Sequence, residues 1–136
     1  NAIVSDPASD MLYEQALLME ASQGAWDKAM RLSEGLVKME PGHRMAQMFL
    51  GLSAFREGDW KAAEKNFRAS ASGPIGELTS SLATAWILLA EKKPSEALDL
   101  LVVPRQAEWA QFYLRYHRAL IADAAGRRAE AHQAYD

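Results

Sequence analysis

The sequence predicts an all-α protein built as a stack of helical hairpins, about three complete and a fourth cut short. Gly24, Gly58, Lys92 and Gly126 recur at one constant interval, and each is followed five residues later by an alanine: Ala29, Ala63, Ala97 and Ala131. Between these marks, apolar residues fall at three- and four-residue steps with no strand-like alternation. Self-similarity at a period of about 34 residues belongs to supersecondary units that bury their apolar faces against one another instead of in a central core.

The elements follow from their punctuation. The first pair of helices is expected over about residues 10–23 and 26–40, closed by Pro41-Gly42 because proline lacks the amide that would continue the ladder. The second pair spans about residues 43–57 and 59–71. The segment Ser72-Gly73-Pro74-Ile75-Gly76 then reads as a turn with conformational freedom. The third pair is expected over about residues 77–91 and 94–103, with Pro94 suited to a first helical turn and Pro104 ending the helix. The fourth begins with a helix over about residues 108–125, and its mate starts near Arg128 and stops at Asp136 with the pattern unfinished.

As units, residues 1–9 form a tail or linker, residues 10–43 and 44–77 two full copies, residues 78–111 a degenerate copy and residues 112–136 a partial one. Asp6-Pro7 stands one repeat period before Glu40-Pro41, and Tyr135 takes the core-facing place of Phe67 and Leu101. Stacks of this kind normally finish with a polar capping helix, so the chain is expected to be a piece of a longer protein.

Composition bounds what the chain can do. It has 136 residues, 49% apolar and 24% charged, with a formal charge of -3, which leaves no excess of Lys and Arg to neutralise a phosphate backbone. Arg105, Arg115, Arg118, Arg127 and Arg128 gather towards the end, but Glu108, Asp123, Glu130 and Asp136 lie among them, so nucleic acid is not expected as a partner. The longest apolar run, residues 83–90, is broken by Thr84 and falls short of a bilayer span, so no membrane insertion is expected. With no cysteine, the chain has no disulfide framework and suits a reducing or an oxidising compartment.

The spacing resembles that of the tetratricopeptide repeat family over about residues 10–136. In the second copy, Leu50-Gly51, Gly58-Asp59-Trp60, Ala63 and Phe67 fall where the family places its leucine-glycine, turn glycine, aromatic, alanine and phenylalanine. The first copy keeps Tyr13, Gly24, Trp26, Ala29 and Pro41; the third keeps Ala97 and Leu101; the fourth keeps Ala119, Gly126, Ala131 and Tyr135. The resemblance implies a right-handed α–α superhelix in which small residues sit at the helix crossings and Trp26, Trp60 and Phe67 fill the hollows between them. Arg115 and Arg118 stand where the family prefers large apolar residues, which suggests a rotated helix with Trp109, Phe112, Tyr116 and Leu120 turned inward. Gly73–Thr79 with Ala85-Trp86, and Glu108-Trp109 with the residues 120–123, also look like a group of long alphaproteobacterial proteins of this family without settled activity. That likeness implies a periplasmic protein, with the cytoplasm as the alternative.

In that family the first helix of each pair lines the concave face, and positions counted back from each turn residue meet the ligand. The resemblance places there Met45, Met48, Leu52, Phe55 and Arg56, then Leu82, Trp86 and Leu89, then Tyr113, Tyr116 and Leu120. This face is apolar and aromatic. None of these positions carries the Lys or Asn with which some members grip a C-terminal carboxylate, so such a clamp is not expected. The expected ligand is an apolar or aromatic peptide or helix, with methionines adapting their shape and aromatics as anchors. The alternative is that these side chains are ordinary core.

No chemistry-bearing constellation competes with this reading. His43, His117 and His132 are far apart in sequence with no carboxylate or cysteine at metal-ligand spacing, so neither a metal nor another cofactor is expected. The glycines serve turns and follow no strand, which argues against a phosphate cradle. No nucleophile and base occur in a recognisable pattern, and catalysis is not expected. The expected role is a protein-binding scaffold. The alternatives are an accessory segment of an enzyme or envelope-assembly machine whose active site lies elsewhere, and a module that self-associates through open repeat ends.

Overall fold

The computed structural model describes residues 7–103 and 107–135. These residues form eight helices: α1 (Pro7–Ser22), α2 (Trp26–Met39), α3 (Arg44–Glu57), α4 (Trp60–Ser70), α5 (Gly73–Ala90), α6 (Pro94–Leu100), α7 (Glu108–Ala124) and α8 (Arg128–Tyr135). No strand occurs among the described residues. The expected tail in residues 1–6, the stop at Pro104 and the end at Asp136 lie outside them.

The recurring turn mark has a backbone cause. Gly24, Gly58, Lys92 and Gly126 all take the left-handed conformation, with φ of 73, 80, 66 and 74°. Each ends the first helix of a pair with the same two hydrogen bonds. At Gly58 its own amide donates to Phe55 O and the next amide, of Asp59, donates to Ala54 O; the same pair of bonds recurs at Gly24, Lys92 and Gly126. This six-to-one closure satisfies carbonyls that the helix end would otherwise leave unpaired, and it needs a residue that accepts positive φ. The chain then re-enters a helix almost at once. Asp59 Oδ1 accepts from Ala62 N at 3.1 Å to start α4, and His43 Nδ1 accepts from Ala46 N at 3.2 Å to start α3. Pro94 opens α6.

The chain divides into two compact units, residues 1–72 and 73–136. In the first, Leu17, Ala29, Leu36 and Ala46 make a buried cluster joined by Ala21, Leu32, Val37, Met45 and Phe49. In the α3–α4 hairpin, Phe67 lies buried over Gly51. In the second unit, Ala85, Ala97, Leu98, Leu101, Leu114, Ile121, Ala122 and Ala131 form the core. All four alanines placed five residues after the turns are buried, because the two helices of a hairpin cross there too closely for a longer side chain.

Four expectations about element bounds need correction. Residues 73–76 are not a free turn: Gly73 and Pro74 open α5 and Gly76 is already buried within it, because proline fits a first turn whose amides need no partner. The boundaries set at residues 77/78 and 111/112 therefore fall inside α5 and α7. Pro7, assigned to a tail, begins α1, and α6 ends at Leu100 instead of Val103.

Candidate functional site

The site residues read from the sequence lie on α3 in the first unit and on α5 and α7 in the second. On α3, Leu52 and Arg56 are exposed, while Met45, Met48 and Phe55 are half-buried. Met45 packs on the core cluster. Arg56 is engaged within the fold: its guanidinium lies 5.1 Å from the centre of the Trp26 ring, a cation–π contact, and Trp26 in turn meets Phe49 at 5.9 Å. The ring of Phe55 stands edge-on to Trp60 at 5.3 Å. Much of this face is thus tied to the turns of its own hairpins.

On α5, Leu82, Trp86 and Leu89 are half-buried against the core of the second unit. Trp86 is held in place, since its Nε1–H donates to His117 Nδ1 at 3.0 Å and the two rings meet edge to face at 6.3 Å. The bond fixes His117 as the tautomer whose Nδ1 is free to accept. Burial holds the His117 imidazole below its ordinary value of 6.5, because a charged ring would lose solvation there.

From His117 an aromatic array runs outward along α7. His117 meets Tyr116 at 5.9 Å, Tyr116 stacks on Phe112 at 6.3 Å with the rings 2° from parallel, and Phe112 meets Tyr113 edge-on at 5.6 Å. Leu120 is half-buried at its margin. Trp109 is 46%, Phe112 66%, and Tyr113 and Tyr116 each 48% exposed. The rotation expected of α7 does not occur. Trp109, Phe112 and Tyr116 face out, and the helix buries Ala110, Leu114, Ala119, Ile121 and Ala122 instead. Small side chains admit the close crossings with neighbouring helices; aromatic rings at those places would not fit.

Two hollows flank this helix. One of about 460 Å³ is lined by Glu108, Gln111, Phe112, Arg115, Tyr116, Ala134 and Tyr135. A second, of about 180 Å³, is lined by Leu101, Val102, Val103, Gln111, Arg115 and Arg118. Sequence reasoning missed Phe112 as part of an outward array and His117 as the acceptor for Trp86. The signal for the hollows was present, because Arg115 and Arg118 occupy positions where an apolar residue was expected. No group of three or more His, Asp or Glu side chains among the described residues is placed to hold a metal ion. No helix among them is long and apolar enough to cross a membrane.

Paired helices joined by left-handed turns, small residues at every crossing and a constant repeat period define a helical-hairpin repeat module. The family model described as tetratricopeptide repeat-like domain matches residues 5–136, and the chain belongs to that family. It is accordingly a protein-interaction repeat module. No curated protein and no solved structure matches the chain significantly.

Proposed function

We propose that the chain is a non-catalytic scaffold that takes an apolar or aromatic helix or extended peptide. In the second unit the contact is made by Tyr113 and Tyr116 on α7, with Leu120 at the edge, while Leu82, Trp86 and Leu89 form the floor that holds the array in place. The observation that carries this reading is the exposure of four aromatic rings on one helix, Trp109, Phe112, Tyr113 and Tyr116, while the same helix buries only small and aliphatic residues on its other side. Aromatic surface left in water is costly, and rigid aromatic side chains on an ordered helix lose little entropy when a partner covers them. In the first unit, α3 offers Met48 and Leu52 with Met45, Phe55 and Arg56 beside them, a smaller face in which methionine adapts to the partner's shape.

The test is selection of a random peptide display library on the folded chain, followed by rebinding to Tyr113→Ser/Tyr116→Ser. The reading expects enrichment of aromatic and aliphatic peptides that lose binding to the double variant while its helical signal is unchanged. No enrichment, or peptides indifferent to the substitutions, would contradict it.

A second reading, self-association, has its own observation. Leu12 and Met19 on α1 are 65% and 58% exposed, whereas Ala46 and Ser53, one repeat period on, and Leu114 and Ile121, three periods on, are all buried. The face that α3 and α7 bury is bare on α1, and a helix of a second copy would cover it. Light scattering at high concentration tests this: an oligomer that Leu12→Ser/Met19→Ser dissolves supports it, and a clean monomer excludes it.

A further inference from the structure

We infer that Arg115 and Arg118 form an anion site in the second unit, and that the partner docked there is a peptide carrying an acidic side chain beside an aromatic one. This rests on the proposed role of α7 as a docking helix and names the chemistry of what docks. Arg118 stands one repeat period after Thr84 and two after Leu50, the leucine of the leucine-glycine pair in the second copy. A guanidinium has therefore entered a packing position. It is half-buried, and among the described residues its Nε has neither a hydrogen-bond partner nor solvent contact. A buried charged donor without an acceptor is a standing cost, which a bound anion removes.

Arg115 lies one helical turn before Arg118, so the two side chains share a face and their like charges repel unless something negative lies between them. Neither has an ion pair among the described residues, although the chain holds 18 acidic against 15 basic side chains. Glu108 lines the neighbouring hollow with Arg115, yet no described carboxylate pairs with either arginine.

The 180 Å³ hollow is lined by both arginines and, among the described residues, by no carboxylate. Guanidinium forks match the two oxygens of a carboxylate. The larger hollow shares Arg115 and Gln111 with it and adds the rings of Phe112, Tyr116 and Tyr135, with Glu108 on its wall. Glu108 repels a second anion there, so the larger hollow suits an uncharged ring. The two together fit a carboxylate and an aromatic ring on neighbouring residues of one peptide. The net charge of -3 disfavours a polyphosphate as the source of the anion. These arginines are also outside the inner-face positions counted back from the turns, so the site is separate from a clamp for a chain terminus.

The experiment follows the Arg118 Nε–Hε and Tyr116 ring signals by NMR while three probes are added: acetyl-Phe-Glu-Phe-Glu-amide, its glutamine analogue acetyl-Phe-Gln-Phe-Gln-amide, and inorganic phosphate. The expected result is saturable movement of both signals with the glutamate peptide, and binding of it weakened by about tenfold or more in Arg118→Leu, the loss of one charge-assisted pair. Arg118→Leu restores the residue found at position 50 and is expected to keep the fold, which its melting temperature checks. Equal binding of both peptides with Arg118 unmoved would overturn the anion site and leave the docking reading standing. Phosphate moving Arg118 as far as the glutamate peptide at equal concentration would overturn the peptide assignment. No movement with either peptide would overturn both.

Discussion

Gly51 lies against the ring of Phe67 so closely that a methyl group at its Cα would stand 2.7 Å from both Cδ1 and Cε1. Phe67 is fully buried and has nowhere to retreat. In the second unit the same crossing holds Ala85 and Leu101, each one repeat period on, so a larger residue on one helix is matched by a smaller one on the other. Gly51→Ala is therefore expected to cost about 1–3 kcal/mol by overpacking. Phe67→Leu in the same chain should recover much of that loss, because it recreates the pair found at 85 and 101. A double-mutant cycle by denaturant unfolding checks it, and additive losses would mean the two positions do not share one space.

This pair also shows why the fold was legible in the sequence while its faces were less so. The repeat period reports a backbone requirement, positive φ at the turn, and a steric one, small residues at the crossing; both restrict residue type at fixed positions. Lys92, which breaks the glycine pattern, still adopts φ 66°, so the period persists where the residue type does not. The orientation of α7 left a weaker trace. Its aromatic stripe, Trp109, Phe112 and Tyr116, has the spacing of a core face, and it competes with the face that packs, Ala110, Leu114, Ala119, Ile121 and Ala122. Gly73-Pro74 misled for a related reason, since a proline serves a turn and a first helical turn equally well. Of the candidate site, position counting named Tyr113 and Tyr116, both half exposed, but gave no sign that Trp86 is bonded to His117.

Lys92 carries the only positive φ among the described non-glycine residues. A side chain in that conformation crowds the following carbonyl, and glycine relieves the crowding at some cost in unfolded-state entropy. Lys92→Gly is expected to stabilise the chain by about 0.5–1 kcal/mol, read as a rise of a few degrees in Tm. A fall in Tm would show that the turn is not strained.

The burial of His117 makes stability depend on pH in a defined direction. Burial lowers the pKa of His117 in the folded chain below 6.5, so as pH falls through 6.5 the unfolded chain takes up a proton that the folded chain refuses. This contribution is full above about pH 6.5, declines below it and levels off once the folded pKa is passed. Comparison of wild type with His117→Gln by denaturant unfolding at several pH values checks it. Wild type should lose stability relative to the variant on acidification, and parallel curves would contradict the assignment.

Trp86 and Tyr116 separate support from contact. Trp86 packs on the core and is hydrogen-bonded, so Trp86→Ala should cost about 2–3 kcal/mol, somewhat less than a fully buried tryptophan. Tyr116 is half exposed, and Tyr116→Ala should cost less than about 1 kcal/mol. Thermal unfolding of the two variants distinguishes them; equal losses would mean that the α7 array is part of the core.

The docking role of α7 is tested most directly by aromatic NMR spectra of the folded chain as a library-selected peptide is added. The account predicts that the ring signals of Phe112, Tyr113 and Tyr116 shift together and saturate. Shifts confined to other helices, with these three rings unmoved at saturation, would contradict it.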